Sequence, residues 1–225
     1  MTAWNGRRRA WVGFVAIVSL LAGGADDAMK LPFRDTFRPK PDAGWRWVRE
    51  DPKAWRVGEG GLEVLIQPGN MWGPANDAKN VLVRAVPDPK QQPLEITAAV
   101  SNKPTGQWEQ VDLVWYYDDS HMVKCGQELV DGKLSIVMGR EEKDRTRTIA
   151  IIPIESDTVE LRLEVKGNQI RGRFKTPGGE WRTAGECDLP APADGRPHVS
   201  LQFYQGVPNV EHWARVSEVT IRAAR

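Results

Sequence analysis

The segment Glu109-Gln110-Val111-Asp112-Leu113-Val114-Trp115 holds two carboxylates close enough in sequence to be weighed as a reacting pair. Glycoside cleavage needs such a pair: one acid protonates the leaving oxygen, and one carboxylate acts as nucleophile or base. On a single strand the two must lie an even number of residues apart, because successive side chains alternate between faces. Glu109 and Asp112 are three apart, so a regular strand points them in opposite directions, and the segment has no second Glu. A hydrolase or lyase would have to draw its carboxylates from different strands, such as Asp112 and Glu128. The other reactive groups are dispersed. His121, His198, His212, Cys125 and Cys187 form no closely spaced zinc-type set. There is no Gly-x-Ser-x-Gly elbow, phosphate-cradling loop or dinucleotide fingerprint. No catalytic residue is assigned from the sequence.

The same strands offer binding chemistry instead. If Val111, Leu113 and Trp115 face a core, Asp112, Val114 and Tyr116 face the other way. If Val123, Cys125 and Leu129 face it, Lys124, Gly126 and Glu128 turn outward. From the strand starting at Val199, Gln202 and Tyr204 join that outer set. A face carrying Asp112, Tyr116, Lys124, Glu128, Gln202 and Tyr204 combines aromatic rings with paired hydrogen-bonding groups, and Gly126 leaves room above the backbone. A sugar ring, apolar on one side and rimmed by hydroxyls, suits such a surface. The competing reading is a solvent face with a cross-strand Lys–Glu pair worth tenths of a kcal/mol. Trp72 lies in the turn-rich stretch Gly69-Asn70-Met71-Trp72-Gly73-Pro74-Ala75-Asn76-Asp77, where it is either a sugar platform or a plug over the core. Trp108 and Trp213 are further platform candidates. Trp47, Trp115 and Trp181 sit in strand patterns and read as core. Asp35 is one carboxylate for a structural calcium, which needs several oxygen ligands; no other cofactor is expected.

The elements that must carry these residues are strands. Val159, Leu161, Leu163 and Val165 alternate with Glu160, Arg162, Glu164 and Lys166, as a half-buried antiparallel strand requires. Gly167-Asn168 turns into Ile170, Gly172 and Phe174, and Asp131-Gly132 is a strong hairpin signal. Leu94, Ile96, Ala98 and Val100 alternate, as do Val199, Leu201 and Phe203. About a dozen short strands with no helical periodicity predict an all-β, two-sheet antiparallel sandwich or barrel. The charge run from Glu141 to Arg147 reads as a solvated hairpin end.

At the N-terminus, Arg7-Arg8-Arg9, the apolar run Trp11 to Leu21 and Ala22-Gly23-Gly24-Ala25 are the three parts of a secretory signal. Residues 1–25 are therefore expected to be cleaved, 26–32 to form a short linker, and 33–225 a single domain that is secreted or periplasmic, with no membrane attachment after cleavage. The full chain has 31 Lys+Arg and 30 Asp+Glu; losing Arg7, Arg8 and Arg9 leaves 28 against 30. That balance excludes a nucleic-acid binder, which needs clustered positive charge. The two cysteines, Cys125 and Cys187, either form one bridge in an oxidising compartment or stay unpaired.

Several motifs together resemble the concanavalin A-like lectin/glucanase superfamily. They are Tyr117-Asp118, Val123-Lys124-Cys125-Gly126-Gln127-Glu128, Asp131-Gly132 and Leu134-Ser135-Ile136-Val137. Earlier in the chain, Phe33-Arg34-Asp35-Thr36-Phe37, Trp45-Arg46-Trp47 and Gly61-Leu62-Glu63-Val64 are similar in the same way. The parts most resembled are the β-xylosidase C-terminal jelly roll and related "regulation of enolase"-type domains. The resemblance spans residues ~33 to 222 and implies a jelly roll, a carbohydrate ligand and a domain often appended to glycoside hydrolases. Met122 stands where that family commonly carries an aromatic, and the chain is expected to stand without a catalytic domain. The expected function is a carbohydrate-binding module. The alternatives are a hydrolase or lyase with carboxylates on the concave sheet, and an envelope protein-interaction domain.

Overall fold

The computed structural model describes residues 1, 29–191 and 195–224. Apart from Met1, the expected signal peptide lies outside the described residues. Fifteen strands follow in order among them: β1 (Phe33–Asp35), β2 (Trp45–Val48), β3 (Trp55–Gly58), β4 (Gly61–Leu65), β5 (Val81–Ala85), β6 (Leu94–Ser101), β7 (Gln110–Asp118), β8 (His121–Val130), β9 (Lys133–Glu142), β10 (Arg145–Pro153), β11 (Thr158–Lys166), β12 (Gln169–Lys175), β13 (Arg182–Asp188), β14 (His198–Tyr204) and β15 (Trp213–Ala223). They make two antiparallel sheets. One runs β13-β12-β11-β6-β15-β4-β3, with β1 also on β15; the other runs β10-β9-β8-β7-β14-β5-β2. This is the concanavalin A-like jelly roll expected.

Local chemistry explains the pairing. The alternation of β11 buries Val159, Leu161, Leu163 and Val165 and leaves Glu160, Arg162 and Glu164 half-buried on the far side. Leu161 pairs with Ala98 and Leu163 with Ile96, so the apolar rows of β11 and β6 coincide. Asp131 and Gly132 both adopt positive φ between the paired Val130 and Lys133. That is the backbone a two-residue type I′ hairpin demands. Lys143 and Asp144 do the same between Glu142 and Arg145, which places the charge run at a hairpin end, as expected.

One hydrophobic core lies between the sheets, with Trp115, Phe174, Phe203 and Leu62 fully buried in it. Met29 and Leu31, from the segment expected to be a linker, pack against it. Cys125 and Cys187 are both free and both buried in this core; burial pushes their thiols up, to about 12 and about 11. Of the tryptophans expected inside, Trp115 is fully buried and Trp47 sits half-buried beside Trp55, ring centroids 5.1 Å apart. Trp181 is a correction. It precedes β13 and is stacked by the Arg162 guanidinium at 3.7 Å, outside the core. A strand-like pattern around a turn misplaced it.

The central strands of the seven-stranded sheet, β7, β8 and β14, are buried on both faces. All but the last residue of β7 are buried, and a second apolar cluster of Met71, Ala78, Val81, Val83, Val114, Tyr116, Met122 and Tyr204 covers the outer face. Its roof is the segment 66–80, which carries the chain from β4 in one sheet to β5 in the other. The near-continuous apolar run of β7 is the sequence signature of a strand covered on both sides.

Candidate functional site

The outer face of β7, β8, β9 and β14 is laid out by register. Tyr204, Gln110, Glu128 and Ser135 form one cross-strand row; Gln202, Asp112, Gly126 and Val137 form the next; Ser200, Val114, Lys124 and Gly139 form a third. Lys124 and Glu128 are four residues apart on one strand, a Cα span of about 13 Å at the usual rise. Their side chains nevertheless meet, Lys124 Nζ lying 2.9 Å from Glu128 Oε2. They lean together over Gly126. A Cβ there would lie 1.8 Å from Asp112 Oδ1 and 2.4 Å from the Val111 carbonyl oxygen, so only glycine admits the arrangement.

Lys124 is 2% exposed, and a buried ammonium must be paired. It donates to Gln110 Oε1 and to Glu128 Oε2, and lies 3.5 Å from the Tyr204 hydroxyl and 3.9 Å from Asp112 Oδ2. The Trp72 and Tyr204 rings flank it at 4.9 Å and 5.7 Å, within cation–π range. Burial raises the Asp112 carboxyl to about 6 against the pull of Lys124, and raises the Tyr204 hydroxyl well above its ordinary value.

Segment 66–80 is fastened over this cluster. Asn70 braces the turn, with its Oδ1 accepting from Trp72 N and its Nδ2 donating to the Trp72 carbonyl. Gly73 N donates to Glu141 Oε2 at 3.1 Å, tying the loop to β9. Burial lifts the Glu141 carboxyl to about 7. The Trp72 ring lies on Gly139, where a Cβ would come within 2.4 Å of it.

Beside Trp72 opens a pocket of about 320 Å³ lined by Trp72, Trp108, Gln110, Lys124, Glu128, Val130, Val137, Thr148, Ile151, Asn70 and Gln205. Trp108 is 45% exposed and Ile151 49%. Thr148 and Ile151 are three apart, so a regular strand would split them between faces. A bulge at Ile149 resets the register, pairing Thr148 with Gly139 and Ile151 with Val137. Both side chains therefore reach the pocket.

The structure brings Trp72, Lys124 and Glu128 to the pocket wall, and places Asp112 and Tyr204 beneath it in contact with Lys124. Gln202 is fully buried, its Nε2 3.8 Å from Met122 Sδ. Tyr116 stands apart, its hydroxyl donating to Asp119 Oδ1 at 2.8 Å. Glu109 faces away, paired with His212 and accepting from Thr105 N at 2.9 Å and Thr105 Oγ1 at 2.7 Å. Against the cost of burial, these partners hold its carboxyl below the ordinary range. Trp213 lies elsewhere, stacked by Arg56 at 4.1 Å. Asp35 accepts from Phe37 N, Asp42 N and the Trp45 indole at 2.5, 2.9 and 2.9 Å, organising the turn after β1. Gln110 was missing from the sequence-derived set, although it sits two residues before Asp112 on the same face. Thr148 and Ile151 carry no sequence signal, because the bulge that aligns them is invisible to a period-2 pattern.

The sequence profile of the β-xylosidase C-terminal concanavalin A-like domain matches residues 34–195. Comparison with curated protein sequences returned no match. Among solved structures, the GH43 protein BlXynB of Bacillus licheniformis is similar at TM-score 0.73 and 18% identity, covering 85% of this chain and 39% of that one. The xylan β-1,4-xylosidase of Bacillus halodurans C-125 matches at TM-score 0.72 and 16% identity, covering 86% and 40%. This chain thus spans well under half the length of both bacterial proteins. A functionally unknown protein from Saccharomyces cerevisiae matches at TM-score 0.61 and 15% identity over 81% of this chain and 97% of its own. At these identities the likeness is one of fold.

Proposed function

The chain belongs to the family of β-xylosidase C-terminal concanavalin A-like domains, and on that premise we propose that it is a secreted or periplasmic carbohydrate-binding module. The observation that carries the reading is the pocket itself, where two tryptophans, Trp72 and Trp108, border the polar trio Gln110, Lys124 and Glu128. At about 320 Å³ it lies near the lower end of ligand pockets, which run from roughly 300 to 1,000 Å³. It suits about one or two sugar rings at the end of a chain. The aromatic faces take the apolar side of the ring, and Glu128, held in place by Lys124, meets its hydroxyls. Kinship with domains found in xylosidases supports a pentose-containing glycan as the first ligand to try.

Binding is favoured over turnover by the placement of the carboxylates. Asp112 has no exposed surface and lies behind Lys124, out of reach of a glycosidic oxygen in the pocket. Titration calorimetry of the purified protein against xylo- and arabinoxylo-oligosaccharides tests the proposal. Binding heat is expected, and Trp72→Ala should weaken affinity about three- to ten-fold through lost ring contact. A panel of plant and algal glycans producing no heat, or binding unchanged by Trp72→Ala and Glu128→Ala alike, would overturn it.

A further inference from the structure

The charges around the pocket define which sugars it can hold. Among its lining residues only Lys124 and Glu128 carry charge. Lys124 has three N–H bonds to give, and Gln110 Oε1, Glu128 Oε2 and the Tyr204 hydroxyl stand in position to take them. Its head is also enclosed by the Trp72 and Tyr204 rings. The ammonium is therefore committed inward, with no donor left for a ligand carboxylate. Glu128 differs. Its Oε2 is held by Lys124, while its Oε1 has no hydrogen-bond partner among the described residues and the side chain borders the pocket. Behind the pair, among the described residues, stand two further carboxylates: Asp112 at 3.9 Å from Lys124 Nζ, and Glu141 on β9 beneath the Gly73 turn. The remaining polar lining groups, Gln110, Thr148, Asn70 and Gln205, are neutral.

Resting on the carbohydrate-binding reading, we propose that this pocket selects neutral sugars and rejects uronic acids. Glu128 Oε1 accepts a hydroxyl of the ligand, and Lys124 is a positioning residue that fixes Glu128 and Gln110 rather than a ligand contact. A uronate placed here meets the Glu128 carboxylate in a site walled by two indoles, where water screens poorly, and finds no free cation. Like charges a few ångströms apart in such a setting cost enough to lower affinity by about ten-fold or more. A neutral xylosyl or arabinosyl end carries only hydroxyls, which donate to Glu128 at no such cost.

The test is paired calorimetry of the wild-type chain at pH 8. Neutral xylo-oligosaccharides are compared with oligosaccharides of equal length that carry glucuronic or galacturonic acid at the terminal ring. The neutral series is expected to bind about ten-fold or more tightly than the acidic series, and the gap should shrink as salt rises from 0.05 to 0.5 M. Glu128→Gln should narrow the gap by admitting the acidic ligands. Lys124→Met should weaken neutral binding without improving acidic binding, which separates a positioning cation from a carboxylate receptor. Equal or tighter binding of the acidic series would overturn the selectivity while leaving the sugar reading intact. Binding of neither series would overturn both.

Discussion

Replacing Asp112 by Asn should change how stability depends on pH, in a direction opposite to most acidic residues. The Asp112 carboxyl is fully buried and titrates near 6, whereas an ordinary Asp titrates near 3.9. Burial disfavours the charged form, so the folded protein holds the proton more tightly than the unfolded chain. Stability from this group is therefore greatest at low pH and is lost as pH rises through the folded value of about 6. Two pKa units correspond to about 3 kcal/mol at full range. Between pH 8 and pH 5 the recoverable part is about 1 kcal/mol, because protonation of the unfolded chain has barely begun at pH 5. Glu141, whose carboxyl burial lifts to about 7, adds about 2 to 3 kcal/mol in the same direction over the same interval. Urea unfolding of the wild type should thus give a higher free energy at pH 5 than at pH 8. Asp112→Asn should flatten that rise by about 1 kcal/mol, and Glu141→Gln by about 2 to 3 kcal/mol. Glu109 acts in the opposite sense: His212 and Thr105 hold its carboxyl below the ordinary range, so its contribution is lost as pH falls through its folded value. A wild-type profile that is flat or falling from pH 8 to pH 5, or one that Asp112→Asn leaves unchanged, would refute the burial argument.

Other substitutions probe the construction of the site. Gly126→Ala puts a Cβ 2.4 Å from the Val111 carbonyl oxygen and 2.7 Å from Asp112 Cα. Backbone cannot yield there, so the denaturation midpoint should drop by the equivalent of about 3 kcal/mol or more. For Gly139→Ala the nearest atoms to the new Cβ all belong to the Trp72 ring, the first at 2.4 Å; the loop can shift, so calorimetry should show weakened sugar binding with a stability loss of about 1 kcal/mol. Thermal unfolding should separate two tryptophans: Trp115→Ala leaves a core cavity costing about 3–5 kcal/mol, while Trp181→Ala removes a surface stack on Arg162 worth about 1 kcal/mol.

Period-2 alternation located the strands and, within them, the face shared by Asp112, Lys124, Glu128, Gln202 and Tyr204, because side-chain direction in a strand depends only on position parity. What alternation cannot express is the cover. Segment 66–80 has no periodicity, and its docking on the sheet rests on Met71, Trp72 and the Gly73–Glu141 bond, contacts distant in sequence. A face legible as outward was therefore legible as polar and aromatic but not as buried. The apolar and aromatic run Leu113 to Tyr117 did carry that message. Trp72 combines the two roles weighed for it, packing against the second cluster and bordering the pocket. The far wall, Thr148 and Ile151, depends on a single inserted residue in β10, which no parity rule anticipates.

The central claim is that a sugar sits between Trp72 and Trp108, and indole N–H resonances report it most directly. A 1H–15N titration with neutral xylo-oligosaccharides should shift the indole signals of Trp72 and Trp108 in step with saturation. The signal of Trp115, buried in the intersheet core, should stay fixed. Shifts confined to Trp47, Trp55 or Trp213, or no indole shift with any oligosaccharide, would contradict the account.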